Sequence, residues 1–304
     1  MFRTRTSAAG LSIISNSFLI LLKVTAGIFS GSISIISEAI HSGIDLLAAV
    51  IAFVSLRIAG RPADWEHPFG HGKIENVSGT IEAALIFVAA GFIGYEAVGR
   101  IMEEKELEHL SLGIAVMAVS VVVNVIVSRH LLRVATETDS LALEADARHL
   151  TADVYTSLGV LVALVVVQIT GLDILDPVIA LMVVLFILRT AYDVLKRSFG
   201  GLVDVRLPSG EEELIASCIM EHYGELLGFH ELRTRKAGRE RHIDLHLVVA
   251  KTASVEEAHR LCDHLEIDIE SKLPHSVVTI HIEPCEMECV ECIIYSCPLA
   301  PKKR

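Results

Sequence analysis

Six stretches of mainly apolar residues run through the first two-thirds of the chain, at about 11–31, 33–57, 77–100, 111–133, 145–170 and 174–196. A helix of roughly 20 such residues spans the hydrocarbon of a bilayer. The fifth stretch is uneven. It is continuously apolar only from Val154, and its first half carries Glu144, Asp146, Arg148, His149 and Asp153. A buried helix in a soluble core explains any one apolar run, but six in roughly 200 residues point to membrane spans. From about 201 the pattern changes. "GEEELIASCIMEHYGELL" reads as an amphipathic helix, and "FHELRTRKAG" with "RHIDLHLVVA" as a hairpin turning at Ala237-Gly238. "SVEEAHRLCDHLEIDIESKL" is a second amphipathic helix and "SVVTIHIEP" a third strand. The expected fold is thus an α-helical membrane domain of six spans (1–200), followed by a small α+β domain of order αββαβ, ferredoxin-like (201–284), and a Cys-rich tail (285–304).

Composition agrees with a membrane class. The 304 residues are 52% hydrophobic, with a mean hydropathy of +0.54. A net charge of −12 argues against nucleic acid as a partner. The basic start "MFRTRTSAAGLS" runs into the first apolar stretch with no clean small-residue cleavage site after it, so it reads as a first span rather than a cleaved leader. Lys and Arg set the orientation. Arg3 and Arg5, then Arg57, Arg61 and Lys73, then Arg129, Arg133 and Arg148, then Lys196 and Arg197 all fall on one side. The opposite loops "SGS" and "GLDILD" hold no Lys or Arg, and "RIMEEKELEHL" is mainly acidic. Both termini are therefore expected in the cytoplasm of a multi-pass cell-membrane protein.

The polar residues inside the apolar stretches carry the chemistry. An ionisable side chain at mid-bilayer costs roughly 2.5–3.5 kcal/mol on insertion scales, so it is expected to face a cavity, a partner or an ion. His41 and Asp45 are spaced i, i+4 on the second stretch, and His149 and Asp153 repeat that spacing on the fifth. Each pair shares a helix face. Together they offer two imidazole nitrogens and two carboxylates, a donor set suited to tetrahedral Zn²⁺. The bland reading is two unrelated pairs, each satisfied by its own neighbour. Depth also poses a difficulty. Counted from the outer ends, the two pairs lie at levels that differ by roughly 14 Å at 1.5 Å per residue. Glu38 stands either behind this site or near its outer mouth, Asp146 lines the way in, and Lys23 and Arg189 snorkel or pair. Glu82 has no evident role.

Two further clusters are candidates. Asp64, His67 and His71 lie close together in "PADWEHPFGHGK", where Pro62, Pro68, Gly70 and Gly72 impose a non-helical path. They could hold an ion or simply be solvated. Cys285, Cys289, Cys292 and Cys297 would face a reducing compartment, where thiolate ligation of zinc or another soft metal is favoured over disulfides; an inert tail is the alternative.

These residues, with "ADWEHPFGHGKIE" and "HELRTR…IDLHLVV…EEAHRL…TIHIEPC", resemble the cation diffusion facilitator family over nearly the whole chain. The resemblance implies a homodimeric, proton-coupled exporter of divalent metal, with the ion held between the second and fifth spans and a cytoplasmic metallochaperone-like domain. Some members have aspartate where His41 stands. The His-Asp/His-Asp form resembles the zinc-preferring subset and makes Fe²⁺, Co²⁺, Cd²⁺, Ni²⁺ or Mn²⁺ the lesser candidates. The resemblance further implies a weaker peripheral site at Asp64, His67 and His71, and a salt bridge between Lys73 and Asp204. It also implies cytoplasmic Zn²⁺ ligands at His230, His246, His259, His281 and Glu283; if metal bridges this domain to its twin, rising metal would tighten the dimer. The family does not generally carry the cysteine tail.

Proton exchange follows from the donors, because imidazole and carboxylate bind metal only after losing protons. The chain has no Walker A pattern and no H-E-x-x-H, so neither ATP nor zinc-protease chemistry has its signature here, and no organic cofactor is expected. A secondary transporter is the leading reading. A membrane-tethered metal sensor and a passive channel are its rivals, and an enzyme ranks last.

Overall fold

The computed structural model describes residues 4–30, 33–102, 110–170, 175–222 and 224–285. They divide into two compact units that part between Leu202 and Val203. The first unit is a bundle of six helices: α1 (Arg5–Ser30), α2 (Ile33–Ala59), α3 (Lys73–Met102), α4 (Leu110–Thr138), α5 (Leu141–Thr170) and α6 (Leu175–Leu202). Hydropathy marks only their apolar cores. The helical backbone continues past them, because i→i−4 hydrogen bonds are indifferent to whether the side chains meet lipid or water. α1 thus starts at Arg5 rather than near 11, and α6 runs on to Leu202.

Among the described residues, four helices contain a stretch long and apolar enough to cross a membrane: Arg5–Ala26, Lys73–Gly99, Ala118–Thr138 and Pro177–Leu202. The other two helices, α2 and α5, carry Asp45, His149 and Asp153.

Small residues set the closest packing in this unit, as is usual where helices associate in lipid without a hydrophobic drive between them. A Cβ at Gly201 of α6 would lie 2.0 Å from Asn76 Nδ2, and one at Gly79 of α3 would lie 2.3 Å from Ser198 Oγ. The same approach lets Asn76 Nδ2 donate to the Ser198 carbonyl at 3.1 Å. At one end of the bundle the first turns of α1, α3 and α5 are tied together. Arg5 Nη1 reaches Glu75 Oε1 at 2.5 Å, and Ser140 Oγ donates to Glu75 Oε2 at 2.6 Å.

The second unit holds α7 (Ser209–Glu221), β1 (Gly228–Ala237), β2 (Glu240–Val249), α8 (Val255–Lys272) and β3 (Ser276–Pro284). β1 and β2 pair antiparallel across a turn that contains Gly238 at φ 61°. α8 then crosses over, and β3 pairs parallel to β2 in the order β1-β2-β3. Alternation along β2 sends Ile243, Leu245 and Leu247 to the core, where they meet Ile215 and Ile219 of α7 and Leu261, Leu265 and Ile269 of α8. The opposite face keeps Asp244, His246 and Val248 outside that core. α8 starts from a capping box, with Ser254 Oγ accepting from the Glu257 amide and the Glu257 carboxylate accepting from the Ser254 amide.

Candidate metal centres

In the helical unit Asp45 Oδ1 lies 3.1 Å from His149 Nε2. Asp153 Oδ joins them so that one donor atom from each residue falls within 4.8 Å of the others. Asp45 is 6% exposed and His149 3%. His149 Nδ1 is buried without a hydrogen-bond partner among the described residues. His41 lies on α2 one turn before Asp45, and its side chain, like that of Glu38, is outside the described residues. The difference in depth counted from the outer ends does not keep Asp45 from His149 and Asp153. The contact is backed by α1: Asn16 Nδ2 donates to the Asp45 carbonyl at 3.3 Å, and Lys23 Nζ donates to Ser42 Oγ at 2.8 Å. Lys23 is buried rather than snorkelling. Neither Asn16 nor Ser12, which donates to Asp146, stood out in the sequence. The signal was there: Ser12, Asn16 and Lys23 follow one another at +4 and +7 on an apolar helix, which puts all three on one stripe.

The segment between α2 and α3 folds as a compact loop around Asp64. Its Oδ1 accepts from the amides of Glu66 at 3.0 Å and His67 at 2.7 Å, the geometry of an Asx turn. His67 Nδ1 stands 3.1 Å from Oδ1 and His71 Nε2 3.4 Å from Oδ2, so the three residues share one donor cluster. The His67 amide, above all, holds the Asp64 carboxyl below its usual range. Both histidines therefore face a ready-made anion. Gly70, at φ 77°, supplies the reversal that returns His71 towards Asp64.

In the soluble unit, strand register does the placing. His230 pairs with His246, and His246 with His281, so three imidazoles form one row across the sheet. A bulge between His230 and Arg233, with Glu231 at φ 50°, sets that register. Glu283, two residues beyond His281, lies with Oε2 3.0 Å from His230 Nε2 and Oε1 2.9 Å from His246 Nδ1. Burial pushes the Glu283 carboxyl up, but hydrogen bonding with His246 and His230 outweighs it and keeps the group below its ordinary range. His230, His246 and Glu283 share one donor cluster. His281 Nε2 stands 3.7 Å from Glu283 Oε1, at its edge. His259 lies elsewhere, on an exposed turn of α8 where its Nδ1 is 3.7 Å from Asp263. Asp204 is approached by Arg235 Nη1 at 3.5 Å within this unit. Cys285 closes β3 with its amide on the Val249 carbonyl at 2.9 Å, whereas Cys289, Cys292 and Cys297 lie outside the described residues.

All three clusters combine imidazole with carboxylate, the donor mix of zinc and related divalent ions. Comparison with known proteins agrees in kind. The model of the cation efflux transmembrane domain matches residues 10–203, and that of the cation efflux protein cytoplasmic domain matches 207–285. An uncharacterised transporter of Synechocystis sp. is 40% identical over 265 residues, covering 87% of this chain and 86% of its own length. The cation-efflux pump FieF of Shewanella oneidensis is 31% identical over 270 residues, covering 89% of this chain and 90% of its own. A solved structure of CzrB, a candidate zinc transporter, is 44% identical, spans 26% of this chain and 98% of that one, and superposes with a TM-score of 0.26. With both domain models matched in order along nearly the full length, the chain belongs to the cation efflux, or cation diffusion facilitator, family.

Proposed function

We propose that this chain is a homodimeric secondary transporter that moves a divalent metal cation, Zn²⁺ foremost, out of the cytoplasm in exchange for protons. The observation that carries the reading is the buried contact of Asp45 with His149, joined by Asp153, inside a bundle of apolar helices. His41, one turn before Asp45, is the fourth donor. A mixed nitrogen–oxygen set favours Zn²⁺ over Mn²⁺, for which all-oxygen sites suffice. The same atoms bind protons when metal leaves, so the two cargoes exclude each other and a proton gradient can drive the ion outward. The α2–α5 pair spans the membrane in this reading, and both termini are cytoplasmic. The cytoplasmic unit binds Zn²⁺ through His230, His246 and Glu283, with His281 and His259 completing the shell in the dimer. The Asp64–His67–His71 loop offers a weaker site, and Cys285 with the tail cysteines offers a thiolate site.

Uptake into vesicles holding the purified protein, over a panel of divalent ions and imposed pH gradients, tests this. Zn²⁺ is expected to be taken up most readily, and the rate to follow the size of the proton gradient. Uptake independent of the gradient would favour a passive channel. No uptake of any ion would favour a membrane-tethered sensor.

A further inference from the structure

The turn of α5 on the N-terminal side of His149 carries buried oxygens that the three clusters do not use. Asp146 is 1% exposed and Glu82, on α3, is wholly buried. Each carboxylate has one oxygen spoken for: Ser12 Oγ donates to Asp146 Oδ1 and Ser78 Oγ to Glu82 Oε1, both at 3.2 Å. The second oxygens, Asp146 Oδ2 and Glu82 Oε2, are buried with no hydrogen-bond partner among the described residues. The residues beside them pack together: Ala83 and Ala145 belong to one core cluster, and a Cβ at Gly79 would lie 3.6 Å from the Ala145 Cβ, so α3 and α5 bring Glu82 and Asp146 to neighbouring positions. Two carboxylates buried together repel, and each unsatisfied oxygen adds a desolvation penalty. A divalent cation relieves both costs at once.

The donors here differ in kind from those beside them. Two carboxylates and two hydroxyls make an all-oxygen set, which suits harder ions and holds Zn²⁺ more loosely than an imidazole-containing site does. Asp146, His149 and Asp153 stand at i, i+3 and i+7, a single stripe on α5 with axial steps of roughly 4.5 and 6 Å. The stripe leads from Asp153 to the end of the bundle where Arg5, Glu75 and Ser140 tie the first helical turns together.

We propose that Glu82 and Asp146, with the hydroxyls of Ser12 and Ser78, form a second cation-binding station one helical turn from the Asp45–His149–Asp153 site. It takes a divalent cation through oxygen alone and hands it to or from the imidazole site. The place of this station on a transport path rests on the export reading; the binding itself does not.

Titration of the full-length protein in detergent with Mn²⁺, followed by electron paramagnetic resonance, tests the binding. The Glu82→Gln/Asp146→Asn double variant is expected to bind one Mn²⁺ fewer per protomer than the wild type, while Glu82→Asp keeps the wild-type count. An unchanged count in the double variant overturns the proposal, and the pair then holds a shared proton in place of a cation. If the double variant does not elute as a single species, Ser12→Ala/Ser78→Ala replaces it. This variant removes two hydroxyls, each worth about tenfold as a hydrogen bond to a charged group, so Mn²⁺ binding should weaken by at least about tenfold, and unchanged affinity overturns the proposal. No flux is needed for this measurement. A wild type that binds this Mn²⁺ but transports nothing contradicts export and leaves the station standing.

Discussion

A carboxylate as deeply buried as Asp45 is stable only against a partner, and its partner is 104 residues away in the sequence. The i, i+4 spacing within each helix made both pairs legible, because helical periodicity is local. The matched spacing and the cost of burying charge pointed to a shared site, but that Asp45 lies level with His149 depends on how the helices stagger, which no local pattern gives. Glu82 shows the opposite case: Ser78, four residues back on the same helix, satisfies one of its oxygens, but no local pattern announces that α5 brings a second buried carboxylate, Asp146, to the same region. The soluble unit offers a cleaner residue-level test. Glu212 accepts from Arg206 Nε at 3.0 Å and from Thr234 Oγ1 at 2.6 Å. Hydrogen bonding from Arg206, above all, holds its carboxyl below the usual range despite burial. A depressed carboxyl stabilises the fold above its unfolded pKa of about 4.3, and the effect is lost as pH falls through the folded value. Glu212→Gln should therefore cost about 1 kcal/mol at pH 7 and progressively less below pH ~4. Urea unfolding of residues 203–285 expressed alone, at pH 7 and pH 3, measures both. A variant penalty that is the same at the two pH values would contradict the account.

At the scale of elements, the strands were readable because alternation and the Ala237-Gly238 turn fix where each begins and ends. The row His230–His246–His281 was readable only in part: His281 and Glu283 share a face by being two apart, but the alignment with His230 depends on the bulge at Glu231. His259 stands on an exposed turn of α8 beside Asp263 and outside the His230–His246–Glu283 cluster, which strand alternation could not reveal. Helix ends were the least legible feature, since nothing apolar marks where backbone hydrogen bonding stops. The packing of α3 on α6 was invisible for a related reason: it rests on an absent Cβ. Gly201→Ala would drive a methyl into Asn76 and displace the amide that bonds the Ser198 carbonyl. The expected cost is about 1–3 kcal/mol, from strain and a buried carbonyl left without its donor. It would be seen as a fall in the thermal midpoint of the detergent-solubilised protein, and an unchanged midpoint would show that α6 shifts freely against α3.

At the scale of the whole molecule, the two units have separate cores and separate donor clusters, and each matches its own domain model of the cation efflux family. A change of composition near residue 201 lies close to where the two units part, between Leu202 and Val203. The central claim is that one ion at the α2–α5 contact exchanges for protons. It is tested most directly by acidifying the interior of vesicles that contain the protein, adding external Zn²⁺, and following both internal Zn²⁺ and internal pH for the wild type and for His149→Ala. The account predicts Zn²⁺ uptake coupled to alkalinisation in the wild type, and loss of both in His149→Ala even though the loop and cytoplasmic clusters remain intact. Zn²⁺ uptake at the wild-type rate in His149→Ala would contradict it.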